Sequence, residues 1–180
     1  MSDTYFYLDP TLRSRRPTMA DSSFDIVSNV DHMEVDNAFN STDREISTRF
    51  DFKNTGTSIV KSGDKYNIEA DTEDRAKAAL EVFKDKLIKR GVSLKHLDAS
   101  APALSGKIYK ISASFKEGIK TEDAKKIAKL LRDEGPKTLK TQIQGEELRV
   151  SSKSRDDLQV AIQIVKDHPW EFSVQFQNYR

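Results

Sequence analysis

Residues 63–85, GDKYNIEADTEDRAKAALEVFKD, are matched in pattern at residues 145–167 by GEELRVSSKSRDDLQVAIQIVKD. With Gly63 set against Gly145, Tyr66 meets Leu148, Ile68 meets Val150 and Thr72 meets Ser154. Asp74 then meets Asp156, Ala79 meets Ala161, Leu80 meets Ile162 and Phe83 meets Val165; Lys84-Asp85 meets Lys166-Asp167. Identities and conservative replacements fall on the same periodic positions, the mark of a duplicated supersecondary unit. In each copy a glycine turn leads into a strand, and a helix with apolar residues three and four apart follows. Two copies of this length point to two similar small domains.

The segments before each copy extend the parallel. Ser23–Ser28 reads as a strand with Phe24 and Ile26 on one face and Asp25 and Val27 on the other. Asp31 is placed to cap a helix, with Glu34 as a capping-box partner and Val35, Ala38, Phe39, Thr42 and Ile46 on its apolar side. Thr48–Lys53 alternates Arg49, Asp51 and Lys53 with Phe50 and Phe52, which predicts an extra half-buried strand. Thr57–Lys61 and Lys65–Ala70 flank a hairpin turn at Ser62-Gly63-Asp64, and Ala76, Ala79, Leu80, Phe83 and Leu87 mark the next helix.

The second unit runs the same way. Lys107–Lys116 alternates as a strand, and Thr121 is placed to cap a helix carrying Ala124, Ile127, Ala128 and Leu131, stopped by Gly135-Pro136. Lys137–Gln144 and Glu147–Ser152 form a hairpin around Gly145, Ser154 to Asp157 opens a capped helix, and Phe172–Asn178 closes the chain as a strand. The order β-α-β-β-α-β is the ferredoxin-like split motif. The expected division is a leader or tag without ordered structure at residues 1–20, a first unit at 21–99, a connector at 100–105 and a second unit at 106–180. The leader carries Arg13, Arg15 and Arg16, so a basic arm is its other reading. Its aromatics precede its charges, the reverse of a secretory signal.

Composition narrows the function classes. The chain has 180 residues, 30 Lys and Arg against 29 Asp and Glu, and no cysteine. Disulfides, thiolate zinc ligands and a thiol nucleophile are therefore excluded. A formal charge of +1 argues against a protein that coats duplex DNA, although a local basic site remains open. No apolar run approaches the roughly 18–20 residues of a membrane span, so we expect a soluble, cytoplasmic chain with no membrane partner.

The blocks SFDIVS, STRFDFK, KTQIQGEELRV, SKSRDDLQ and VQFQNYR occur in this order between Ser23 and Arg180, and together they resemble the YajQ family of bacterial proteins. The resemblance covers Ser22 to Arg180, and family members usually begin near Met19. It implies an α+β fold of two tandem ferredoxin-like domains that exchange their N-terminal strands. The Phe24 strand would then join the second unit and the Tyr109 strand the first. It also implies nucleotide or RNA binding, with some members receptors for cyclic di-GMP that act through a transcription regulator.

A cyclic dinucleotide offers phosphates that favour Arg or Lys, guanine edges that favour Arg, Asp, Asn or Gln, and flat faces for stacking. Arg49, Lys140, Arg149 and Lys153 are the phosphate candidates. Asp25, Asp51, Gln142, Gln144 and Asn178 are the guanine-edge candidates, and Tyr179 is a stacking surface, with Lys53 and Arg180 close by. Gln175, Gln177 and Tyr179 are expected on one face. Each charged residue alone is explained by a solvated sheet face, and Phe50, Phe52, Phe172 and Phe176 by packing under helices. What favours a site is convergence: two polar faces in tandem would form a cleft. GTP or ATP are further candidate ligands, and RNA binding or docking on a protein are the alternatives. An RNP-type strand is not evident, because Lys107-Ile108-Tyr109-Lys110 lacks the Gly-aromatic pattern.

Catalysis is not expected. His32, His96 and His168 share no metal-ligand spacing, and the chain has no Walker loop, GxGxxG or GxSxG. No cofactor or metal is expected.

Overall fold

Gly63 and Gly145 both adopt φ 61°, a left-handed backbone that glycine enters without steric cost. Each is the first of two residues turning a hairpin. The first hairpin joins β2 (Ser58–Ser62) to β3 (Lys65–Ala70), and the second joins β7 (Lys140–Gln144) to β8 (Glu147–Ser152). A computed structural model describes residues 21–180, so the expected leader with its three arginines lies outside the described residues. The remaining elements are β1 (Ser22–Val27), α1 (His32–Thr48), α2 (Glu73–Lys89), β4 (Leu97–Ala99), β5 (Ala103–Ser105) and β6 (Ile108–Phe115). They are followed by α3 (Thr121–Glu134), α4 (Arg155–Asp167) and β9 (Gln175–Gln177).

Two antiparallel sheets result. Sheet I has the order β2-β3-β6-β4, with β5 also on β6, and sheet II has the order β7-β8-β1-β9. The strand exchange is visible in the register. Phe24 lies opposite Val150 in β8 and Ile26 opposite Phe176 in β9, whereas Ile111 of β6 lies opposite Ile68 of β3. Each sheet is covered on one side by a helix pair, giving two cores. Val35, Ile46, Ile68, Phe83, Leu87 and Ile111 lie in one, and Phe24, Ile26, Ile127, Leu131, Leu148 and Val165 in the other. Phe24 and Ile26 are fully buried. At about 1.5–3 kcal/mol for each such side chain, the second core holds the visiting strand firmly.

The exchange requires the chain to cross itself between β1 and α1 and again between β6 and α3. There the Gly118 N–H donates to the Ser28 carbonyl at 2.8 Å, and the Val30 N–H donates to Glu117 Oε1 at 3.1 Å. His32 Nε2 lies 2.8 Å from the same Glu117 oxygen. Gly118 has φ 76°, again the left-handed region.

Several local expectations are corrected. No strand forms around Phe50. α1 runs to Thr48, and the chain then turns through Phe52 N–H to Arg49 O, Lys53 N–H to Phe50 O and Thr55 N–H to Phe52 O. Left-handed Asn54 and Gly56 complete this turn. Phe52 is buried but Phe50 is 91% exposed, so the alternation of charge and aromatic is not a sheet pattern. Thr121 is the first helical residue of α3, not its cap; Lys120 holds that position without a side-chain cap bond. Asp31 does cap α1, accepting from the Met33 and Glu34 N–H groups, but the Glu34 carboxylate turns to Asn37 and Arg90. The closing strand is only Gln175–Gln177, and β5 forms within the expected connector.

Candidate functional site

Sheet II leaves the face opposite α3 and α4 to carry polar side chains. Because side chains alternate along a strand, the core residues Leu148, Val150, Phe24 and Ile26 send their neighbours to the other side. Register then sets Gln142 beside Arg149, Arg149 beside Asp25, and Asp25 beside Gln177, one row across all four strands. Lys140 pairs with Ser151 and Gln144 with Glu147 in the rows on either side. The strand residues of this face include no aromatic.

Asp25 is the centre of the row. It is 1% exposed, yet its carboxylate accepts from Arg149 Nε at 2.7 Å, Arg149 Nη2 at 2.9 Å and Asn178 Nδ2 at 2.9 Å. The Arg149 hydrogen bonds hold the Asp25 carboxyl below the usual aspartate range, against burial, which pushes it up; Asn178 and the charges of Arg149 and Arg180 add to the lowering. Arg149 is partly exposed, and its Nη1 has no hydrogen-bond partner among the described residues. A guanidinium fixed at one edge by a carboxylate keeps its other edge oriented outward.

Asn178 reaches Asp25 through a backbone irregularity. Asp25 pairs with Gln177, but Ser23 exchanges both backbone hydrogen bonds with Arg180, at 3.1 and 2.9 Å. One residue on β1 is thus opposed by two, Asn178 and Tyr179, which is a β-bulge with Asn178 in the left-handed region at φ 56°. Asn tolerates this conformation better than most residues. The bulge breaks the expected face: Gln177 and Asn178 serve the Asp25 side, while the Tyr179 ring lies 6.1 Å from the core residue Phe24. Gln175 is tied back to Asn29, its Nε2 donating to the Asn29 carbonyl at 2.9 Å.

The expected residues therefore divide. Asp25, Gln142, Gln144, Arg149 and Asn178 come together on sheet II, with Arg180 beside Ser23 and Lys140 on the adjoining row, 3.2 Å from Asp21. Lys153 follows the end of β8 and is exposed. Arg49, Asp51 and Lys53 belong instead to the turn after α1. Arg49 donates to Asp51 at 2.9 and 2.7 Å and to Glu45 at 3.3 Å, and it covers the Phe52 ring at 4.8 Å. None of these contacts reaches sheet II. Gln177, which is not among the expected contact residues, also stands in the row, and its period-two spacing from Gln175 is the sequence signal for it.

The histidines are dispersed. His32 begins α1, His96 ends a short 3-10 turn and is buried, and His168 follows α4 and lies 4.2 Å from the Trp170 ring. Among the described residues, no three His, Asp or Glu side chains gather as metal ligands, and no helix is long and apolar enough to cross a membrane.

Tandem ferredoxin-like units that trade their first strands and present a polar, amide-rich sheet face define the architectural class. Within it, the chain belongs to the YajQ-like family of nucleotide-binding proteins, whose family model matches residues 22–180. It is 64% identical over 162 residues to a nucleotide-binding protein of Streptomyces coelicolor, covering 90% of this chain and all of the relative. It is 60% identical over 163 residues to one of Rhodococcus jostii and 57% identical over 163 residues to one of Mycobacterium ulcerans, with the same coverage.

Proposed function

We propose that this chain is a nucleotide receptor, not an enzyme, that its ligand is cyclic di-GMP, and that it acts through a transcription regulator in the cytoplasm. One observation carries the reading: Arg149, clamped by Asp25 and with Nη1 unpaired among the described residues, stands in one row with Gln142 and Gln177 on sheet II. A guanidinium edge suits a guanine O6/N7 pair or a phosphate, and its plane serves for stacking where no aromatic does. Gln142, Gln144, Gln177 and Asn178 supply donors and acceptors for base edges, while Lys140, Lys153 and Arg180 flank the row with charge for phosphates. The relatives named nucleotide-binding proteins support the class of ligand.

Titration calorimetry with cyclic di-GMP, GTP, ATP and a short single-stranded RNA tests it. Saturable cyclic di-GMP binding is expected, weakened roughly three- to tenfold by Gln142→Ala or Gln177→Ala, each the loss of one hydrogen bond. Absence of dinucleotide binding beside tight RNA binding with a steep salt slope overturns the receptor reading in favour of an RNA-binding one.

A further inference from the structure

The crossing of the two linkers leaves a cleft of about 630 Å³, bordered by His96, Lys120, His168, Trp170 and Phe172. It lies between the units, away from the polar row of sheet II. Its back is formed by His96, which is 2% exposed and locked to the linker before α3. The Lys116 N–H donates to the His96 carbonyl at 2.8 Å, and His96 Nδ1 lies 2.9 Å from the Lys116 carbonyl. A carbonyl only accepts, so Nδ1 carries the proton, and Nε2 of the neutral ring is an acceptor. That Nε2 is buried and has no partner among the described residues. A buried acceptor left unsatisfied is costly and calls for a donor.

The start of α3 borders the same cleft. Lys120 stands at the cap position, and an ammonium cannot accept from the free N–H groups of the first turn. Lys120 is itself exposed, with no ion-pair partner among the described residues. Of the carboxylates nearby, Asp123 is paired with Lys126 at 2.9 Å, Glu117 accepts from the Val30 N–H and lies against His32, and Glu171 is the third. The far wall is aromatic: the His168 and Trp170 rings lie 4.2 Å apart at 46°, Trp170 and Phe172 lie 5.4 Å apart at 40°, and His168 is the exposed ring of the His168–Trp170 pair.

We propose that this cleft is a second ligand site, for a ring-bearing phosphomonoester of which a nucleoside monophosphate is the simplest. The terminal phosphate sits at the N-terminus of α3 against Lys120, a ribose hydroxyl donates to His96 Nε2, and the base lies along Trp170 and His168. A volume of this size is ordinary for such a ligand. Cyclic di-GMP has only phosphodiesters, so it lacks the terminal dianion this helix end favours. Cyclic di-GMP is therefore not the ligand expected at this cleft.

Trp170 is the chain's single tryptophan and borders this cleft, so its fluorescence responds to a ligand there, and the Lys120 and His96 variants assign the response to the cleft. Titration with 5′-GMP and 5′-AMP should give a saturable change, at least about tenfold weaker for guanosine and for the Lys120→Glu variant. His96→Asn retains a donor for the Lys116 carbonyl and loses the Nε2 acceptor; it should also bind more weakly, while Gln142→Ala should bind as the parent does. Lys120 is exposed, so its variant reads the site without disturbing the fold. No saturable response to the monophosphates, equal affinity for guanosine, or an unchanged Lys120→Glu variant overturns the proposal. Calorimetry with cyclic di-GMP on the same variants tests the sheet II reading separately.

Discussion

Arg149 clasps Asp25 across 124 residues of sequence, its Nε and Nη2 donating to the two carboxylate oxygens at 2.7 and 2.9 Å. Arg149 belongs to the second copy of the repeat and Asp25 to the exchanged strand, so this pair fastens the exchange in addition to shaping the proposed site. Arg149→Ala would leave the Asp25 carboxylate buried with Asn178 as its remaining side-chain donor. Breaking a buried pair from one side costs about 3–5 kcal/mol, and the partial exposure of Arg149 lowers the expectation to about 2–3 kcal/mol. Urea unfolding of parent and variant measures it; a difference below half a kcal/mol or so would show that the clasp contributes little.

Acid should weaken the same clasp. The folded-state pKa of Asp25 lies below its ordinary value, so the pair's contribution is present above that ordinary value, about 3.9, and is lost as pH falls through the lower folded one. The stability gap between parent and Asp25→Asn should therefore be widest near neutrality and narrow below about pH 4. Asp36, Glu45 and Asp51, also held down by basic neighbours, act in both proteins and cancel in the difference. A gap independent of pH down to about pH 2 would remove the ionised carboxylate from the account.

Asn178 has two duties that substitutions can separate. Asn178→Gly keeps the left-handed backbone and loses the bond to Asp25, for about 1 kcal/mol. Asn178→Val loses the bond and also forces a β-branched residue to φ 56°, for about 2–3 kcal/mol in all. Equal unfolding midpoints for the two variants would mean that the bulge carries no conformational demand.

These residues also show where the sequence was legible. The hairpins, helices and cores follow from periodicity and from two glycines in equivalent turns, because those signals are local and the second copy repeats the first. The partner of Ser22–Val27 is a different matter: a strand shows the same alternation whichever sheet it enters, so the exchange came from family resemblance and not from spacing. Lys140, Gln142, Gln144 and Arg149 were legible as one face because a two-residue turn fixes their register. Tyr179 was misplaced because a one-residue bulge reverses the parity of everything beyond it. Arg49 to Lys53 alternated like a strand for too few residues to tell it from a turn, and the i to i+2 Arg49–Asp51 pair was the contrary signal. The burial of His96 had no local signal, since it comes from packing between distant segments.

The crossing itself is testable at Gly118. Its φ of 76° strains any residue with a side chain, and a Cβ built there would lie 2.5 Å from Glu146 Oε2. Gly118→Ala should destabilise by about 1–2 kcal/mol from backbone strain, with a smaller part from displacing the Glu146 side chain. Glu146→Ala removes the Oε2 and Cδ contacts and keeps only the Glu146 Cβ, 3.0 Å from the built Cβ. In a double-mutant cycle, Glu146→Ala should thus recover only a minor share of the Gly118→Ala loss. Full recovery would assign the cost to the steric contact and show that the linker tolerates an L-residue. No loss at all would mean that the linker can cross by another backbone path, and the exchanged arrangement would then not depend on glycine at this point.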